Sequence, residues 1–302
     1  MNKFNSYLKS LRLRTLPLST GGVLLGILLA VADYRVGFWT AVLTVLTTVC
    51  LQILSNLSNE LGDVLHGTDT EDRKGPQYGL NSGEITIGRM KFLIGIFVVL
   101  SMGFGLAMVW VSWGSVFGLT QLLVLMLGAA AIIAAMRYTL GRSPYGYRGL
   151  GDLYVFLFFG LVAVLGAYFV CAHTIPSWRL LLPGAAVGCF GVGVLNVNNI
   201  RDMETDAPNR VTVAIRLGER RAKIYQTVLI VLGWVLMTLY CLMRIPDPWH
   251  YLYVLTLPLY AVHLRGVWSR TGRDLDPMLP LLVMSTFLFC LLGGLGFVIY
   301  LF

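Results

Sequence analysis

Nine apolar runs punctuate this chain, at about residues 16–33, 38–58, 92–112, 117–136, 152–172, 180–199, 225–243, 251–266 and 278–301. Each is close to the ~20 residues that a helix needs to cross a lipid bilayer. Inside lipid a backbone satisfies its own N–H and C=O groups only as a helix or a closed barrel, and continuous apolar runs of this length read as helices. The expected fold is all-α and integral to the membrane, with nine transmembrane helices and the two chain ends on opposite sides. Composition agrees: 57% of the 302 residues are hydrophobic and 13% are charged, too few charges to coat a soluble globule.

The basic residues test that count independently, because cytoplasmic loops of membrane proteins are enriched in Lys and Arg. With the N-terminus inside, 20 of the 23 basic residues fall on the inner side, and only Arg35, Arg179 and Arg244 lie outside. One wrong helix in the first half would scramble this alternation. The expected location is the cytoplasmic (inner) membrane, with the N-terminus cytoplasmic and the C-terminus outside. The net charge of +8 then acts as an orientation signal and attracts anionic membrane lipid and anionic substrate; nucleic acid is not implied. Residues 2–14 read as a short basic amphipathic lead-in, not a cleavable signal, because no small-residue cleavage site follows. Cys50, Cys171, Cys189, Cys241 and Cys290 all fall within apolar runs without paired spacing, which points to packing and to neither disulfides nor zinc. No Ser- or Pro-rich linker divides the chain, so 1–302 is expected to form one domain.

Two inner loops, roughly 59–91 and 200–224, stand out by length and carry ten of the fifteen acidic residues. Each begins with an asparagine-led acidic cluster where an apolar run ends. The first is Asn56-x-x-Asn59-Glu60-x-x-Asp63 running on to Asp69; the second is Asn196-x-x-Asn199-x-x-Asp202-x-x-x-Asp206. The recurrence four spans later, from the second span to the sixth, has the look of a weak internal repeat, a device that places sites between halves of membrane proteins. Acids at a helix C-terminus oppose the macrodipole and cost stability unless a cation compensates. Carboxylates three to six residues apart can converge on a hard cation, and Mg²⁺ characteristically takes one or two carboxylates plus phosphate oxygens and water. A metal-bound diphosphate also requires fixed cations for the charge that develops on a leaving group. Lys91, Arg137 with Tyr138, Arg142, Arg210 and Arg216 face the same side. The basic pieces after each cluster, Arg73 through Lys91 and Arg210 through Lys223, are expected to lie in the interface as short caps over a cavity.

Asn59-Glu60-Leu61-Gly62-Asp63, Asp69, Asp72-Arg73-Lys74-Gly75-Pro76, Gly83-x-Ile85-Thr86, Tyr138-Thr139-x-Gly141, Gly149-Leu150-Gly151-Asp152 and Asn199-Ile200-Arg201-Asp202-x-x-x-Asp206 followed by Arg216-Leu217-Gly218 resemble the intramembrane aromatic prenyltransferase superfamily. The resemblance runs from Arg14-Thr15-Leu16-Pro17 to the ninth span and is strongest to the menaquinone branch. It implies a transmembrane prenyltransferase domain whose nine helices surround a cavity open toward lipid, with inner-side cap loops and two Asp-rich motifs that bind Mg²⁺ and a polyprenyl diphosphate. Carried onto this chain, the first motif is Asn59, Asp63 and Asp69, and the second is Asp202 and Asp206 supported by Asn199. Glu60 stands where the superfamily usually has Asp. The implied reaction ionises the allylic C–O bond, joins the prenyl cation to the ring of 1,4-dihydroxy-2-naphthoate and releases CO₂ and diphosphate. Tyr138, Tyr147 and Tyr154 are candidates to face the cation, and Arg14 and Asp152 to orient the acceptor. The alternatives are another acceptor on the same fold, such as 4-hydroxybenzoate or homogentisate, and a cation transporter built on the duplicated motifs. Transporters place their ion sites near the midplane, whereas these clusters sit at inner helix ends.

Overall fold

The computed structural model describes residues 3–67, 78–208, 210–299 and 301 of the chain. Among them the fold is all-helical: α1 Lys3–Leu11, α2 Leu16–Asp33, α3 Phe38–Leu65, α4 Ile87–Trp113, α5 Leu119–Arg137, α6 Gly151–Val155, a π-helical stretch Phe156–Val162, α7 Ala163–Ala172, α8 Leu181–Arg201, α9 Met203–Asp206, α10 Val213–Leu217, α11 Glu219–Leu242, α12 Leu257–Ser269 and α13 Met278–Ile299. Eight helical stretches among the described residues are long and apolar enough to cross a bilayer. The ninth expected span, 251–266, is broken. It is a 3₁₀ stretch Pro248–Thr256 running into α12, with Pro248 and Pro258 at the first turns of the two pieces. At rises of 2.0 and 1.5 Å per residue the two laid end to end reach about 37 Å, still enough for the ~30 Å hydrocarbon core.

The ends of the spans differ most from the sequence expectation. In the sequence, polar residues end the second apolar run near 58 and the sixth near 199; the structure carries α3 on to Leu65 and α8 to Arg201. No proline interrupts Ser58–Leu65, so Asn59, Glu60 and Asp63 ride on the last two turns of α3 and not in its loop. The basic piece after the second cluster divides into α10, capped by Thr212 Oγ1 accepting from Ile215 N–H, and the first turn of α11. Asp69 and Arg73 through Pro76 lie outside the described residues.

Small residues let the spans approach closely, as helices in lipid require. A Cβ on Gly26 of α2 would sit 2.3 Å from the Val164 carbonyl oxygen of α7, and one on Gly160 would sit 2.5 Å from the Gly188 Cα of α8. The largest core joins α2, α7, α8, α11 and α13 around Leu25, Leu29, Phe190, Tyr253, Tyr260 and Phe289. In contrast, α5 has no buried residue and packs chiefly on α3 and α4, so lipid reaches along its flank.

The N-terminal helix lies across the inner end of α3. Ser10 Oγ donates to Glu60 at 3.2 Å and accepts from Gly79 N–H at 3.2 Å, and Ser6 hydrogen-bonds Glu84. Arg12 joins this helix to the first span through a left-handed backbone (φ 49°), which lets the chain turn sharply into the membrane.

Candidate active site

A cavity of about 450 Å³ opens at the inner ends of α3 and α8 and reaches deep between the spans. Its mouth is polar, formed by Asn59 and Asp63 of α3, Asn198 and Asn199 of α8, Arg12, Arg14, Tyr78, Tyr138 and Arg210. Along α3 the lining runs from Asp63 to Thr44, about 28 Å of helix axis at 1.5 Å per residue. The deeper α3 positions include Thr44, Thr47 and Thr48, yet their hydroxyls donate to the Thr40, Leu43 and Thr44 carbonyls of their own helix at 2.7–2.9 Å. Methyl groups are left for the cavity. Phe158, Phe159, Val162, Ala163 and Gly166 of the π-helical stretch and α7 face them.

The two Asn-x-x-Asn sets divide labour in the same way. Asn56 Nδ2 donates to the Leu11 carbonyl at 2.8 Å and to Thr15 Oγ1 at 3.0 Å, and Asn56 Oδ1 accepts from Gln52 at 3.0 Å. Asn196 Nδ2 donates to the Ala222 carbonyl at 3.0 Å and to Gln226 Oε1 at 2.9 Å. Each first asparagine thus fixes its helix against a neighbour, which sets the rotation that turns Asn59 or Asn199 to the mouth. Thr139 Oγ1 reaches Asn59 Oδ1 at 3.3 Å.

Charge is concentrated here. Arg210 is ion-paired with Asp206 and also feels Asp63. Burial pulls the guanidinium pKa down, but the two carboxylates outweigh it, so the group is raised and stays charged. Burial raises the Asp206 carboxyl, with Arg210 opposing and Asp202 and Asp63 adding to the rise. Tyr147 donates to Asp63, and Val211 N–H donates to the Tyr147 carbonyl at 3.0 Å, which pins the loop after α5 between the two clusters. Gly62 permits the contact, because a Cβ there would lie 2.5 Å from Thr139 Cβ.

The sequence candidates separate by position. Asn59, Asp63, Asn199, Tyr138, Arg210 and Arg14 line the cavity, with Asp206 behind Arg210; Arg14 donates to Tyr78 Oη at 3.1 Å. Asp202 is held in a fork by Arg201, Nε to Oδ1 at 2.8 Å and Nη2 to Oδ2 at 2.6 Å, both side chains buried. Glu60 is buried under α1 and accepts from Leu80 N–H at 2.7 Å. Asp152 accepts from Tyr225 Oη at 3.0 Å and does not line the cavity. Lys91, Arg137, Arg142 and Arg216 are exposed and also lie off its wall.

Three contributors escaped the sequence reading. Arg12 counted only as an inner basic residue; its guanidinium stacks 3.9 Å from the Tyr78 ring centroid, with buried Nε and Nη2 atoms lacking partners. Asn198 lines the mouth and accepts from Arg201 at 2.8 Å. Tyr145 stacks on Tyr154 at 3.8 Å and meets Tyr138 edge-on at 5.4 Å, so three tyrosines and Phe158 form one aromatic wall. The Tyr145-Gly146-Tyr147 run was the available signal.

No group of three or more His, Cys, Asp or Glu side chains among the described residues would hold a metal unaided. The donors present, Asn59, Asp63, Asn199 and Asp206, are hard oxygens at a mouth that also presents Arg210. That set fits Mg²⁺ shared with a diphosphate and does not fit an all-protein cage.

Residues 20–285 match the model of the UbiA prenyltransferase family. The chain is 39% identical over 280 residues to the 1,4-dihydroxy-2-naphthoate octaprenyltransferase of Escherichia coli (strain K12), covering 92% of this chain and 88% of that one. It is 35% identical to the enzyme of the same name from Haemophilus influenzae, covering 98% and 97%. Among solved structures, a UbiA homolog from Aeropyrum pernix K1 aligns over the whole of both chains with a TM-score of 0.69 at 15% identity. A UbiA homolog from Archaeoglobus fulgidus bound to GPP and Mg²⁺ aligns over 97% of this chain and 99% of its own with a TM-score of 0.66 at 17% identity.

Proposed function

Because the chain belongs to the UbiA prenyltransferase family, we propose that it transfers a polyprenyl group from polyprenyl diphosphate to 1,4-dihydroxy-2-naphthoate, with loss of CO₂ and diphosphate, as a multi-pass protein of the inner membrane. The observation that carries this reading is that one cavity joins a charged mouth to a long apolar interior. The mouth suits a diphosphate and the interior suits a hydrocarbon tail. The kinship to naphthoate octaprenyltransferases supports the acceptor over hydroxybenzoate or homogentisate and does not favour a transporter. Orientation follows from the basic residues: Arg35, Arg179 and Arg244 belong to the end opposite the clusters, where Arg244 pairs with Asp33 at 2.5 Å. The N-terminus is then cytoplasmic and the C-terminus outside, with the whole chain working as one unit.

Asn59, Asp63, Asn199 and Asp206, together with Asp69 and Asp202, are the residues that would hold Mg²⁺, whose chemistry when bound is to take up negative charge on the diphosphate. The protein's own contribution is preorganised. Arg210, held between Asp206 and Asp63, presents fixed positive charge where the leaving group gains negative charge. Arg12 and Arg14, stacked on and bonded to Tyr78, orient the acceptor carboxylate at the mouth. The aromatic wall of Tyr138, Tyr145 and Tyr154 surrounds an allylic cation with polarisable rings and presents no base to quench it. The threonine methyls and phenylalanines of the wall exclude the water that would quench it.

The test is an assay of purified protein with Mg²⁺, octaprenyl diphosphate and either 1,4-dihydroxy-2-naphthoate or 4-hydroxybenzoate, read by product mass. A prenylated 1,4-naphthalenediol lacking the carboxylate, or the quinone that air makes from it during work-up, is expected, and is lost with EDTA. Product from hydroxybenzoate alone would overturn the acceptor, and no product from either would overturn the transfer reaction.

A further inference from the structure

The cavity has a built end. Its far lining is Thr44 of α3, Met108 of α4, Val124 of α5 and Val170 of α7. Behind them Val109, Trp113, Leu43 and Leu125 pack against Met108 and Val170 in one small cluster. Met108, Val109 and Val170 are nearly or fully buried, although α4 buries only Met90, Ile94 and Ser101 besides and α5 buries no residue.

This end is clasped from the outer side. The Ser112 hydroxyl, in the last turn of α4, donates to the Val170 carbonyl of α7 at 2.7 Å and pairs with His173 Nε2 at 2.6 Å. The single hydroxyl hydrogen goes to the carbonyl, so the imidazole Nε2–H is the donor of the second bond. His173 caps α7 in a left-handed conformation (φ 55°) unusual for a residue with a side chain, and its ring stacks on Trp113 at 5.0 Å. A strained cap, a two-bond clasp and a ring stack together hold α4 to α7 just beyond the wall residues. Val170 belongs to both, lining the cavity with its side chain and receiving the clasp with its carbonyl.

We infer that Met108 and Val170, held by the Ser112–His173 clasp, are the end stop that sets which prenyl tail lengths this enzyme prefers. A tail anchored by its diphosphate near Asp63 and Arg210 extends along the threonine face of α3 and meets Met108 and Val170 at a fixed depth. Tails that fill this depth gain apolar contact with each added unit, and longer ones gain none from the protein. The inference rests on the proposed transfer reaction.

The experiment is a competition in one vessel between equimolar geranylgeranyl and octaprenyl diphosphates, with limiting 1,4-dihydroxy-2-naphthoate, for the unaltered chain, Met108→Trp and Met108→Ala. The ratio of product masses reports kcat/KM selectivity and does not depend on how much of a variant folds. Met108→Trp is expected to move the ratio toward the shorter tail by about tenfold and Met108→Ala toward the longer by a few-fold. Ser112→Ala, which releases the clasp without touching the cavity, is expected to shift it in the same direction as Met108→Ala. Ratios within about twofold of the unaltered chain for Met108→Ala and Ser112→Ala overturn the end stop while leaving the transfer reaction standing. No prenylated, decarboxylated product from the unaltered chain with either donor overturns both.

Discussion

Tyr147 donates its phenolic hydrogen to Oδ1 of Asp63 across 2.8 Å, which joins the loop after α5 to the last turn of α3. The same ring stands edge-on to His66 at 5.3 Å and lies 5.9 Å from the Arg210 guanidinium carbon. Tyr147 therefore holds the first cluster's carboxylate on its way to the second. Removing the donor with Tyr147→Phe keeps the ring and frees the carboxylate. The rate is expected to fall about tenfold, or about 1.4 kcal/mol, with a raised Mg²⁺ requirement in initial-rate assays. An unchanged rate and metal response would leave the bond with a purely structural role.

Asp63→Ala and Asp206→Ala remove hard oxygen donors from the mouth, and each is expected to lower turnover by roughly 10²–10³, the scale of a lost preorganised electrostatic contact. Product formation is the readout, with intrinsic fluorescence melting in detergent confirming the fold. A folded variant of either residue that turns over normally removes it from the metal-diphosphate assignment.

Arg201 is buried and binds Asp202, Asp276 and Asn198 at once. Arg201→Ala strands the Asp202 carboxylate, whose side chain is 2% exposed, and breaking such a pair costs about 3–5 kcal/mol. Asp276→Ala costs far less, because that carboxylate is 42% exposed and Arg201 keeps its fork on Asp202. Melting temperatures of the two variants in detergent should differ clearly; equal losses would mean that burial is not what makes Arg201 matter.

Burial pushes the Tyr138 phenol up to about 12 from the ordinary 10.0, with Arg210 opposing and the nearby carboxylates adding to the rise. Between those values the folded chain holds a proton that the unfolded chain has lost, so stability falls as pH rises through that window. Below 10 both states are protonated and the phenol adds no pH dependence. Melting measured against pH is expected to drop more steeply above pH 10 in the unaltered protein than in Tyr138→Phe. Parallel curves would mean that the phenol is hydrated.

The spans were legible because lipid demands long apolar helices, and α2, with Pro17 at its first turn, begins where the sequence placed it. The helix ends were not, since Asn59, Glu60 and Asp63 are polar without being helix breakers and α3 carries them to Leu65. Proline at 248 and 258 is compatible with an apolar run, and hydropathy is blind to the 3₁₀ break that it brings. Charge bias separates the two ends of the spans but not the directions in which side chains face. Lys91 and Arg210 were therefore equal candidates in sequence, and the fold exposes one and turns the other to the mouth. Arg12 was masked by the same ambiguity, because its position depends on a left-handed turn that nothing in the sequence around it announces.

A hollow that opens between the two acidic clusters and follows about 28 Å of α3 is most of the way to being a pore. What keeps it from leaking is the treatment of the threonines: with each hydroxyl bound to its own helix, the wall gives a chain of water no foothold. A protein that excavates the bilayer this deeply has to insulate it as well. Substitutions that strip methyls from that face, or release hydroxyls into it, give water a path along the wall before they touch the chemistry.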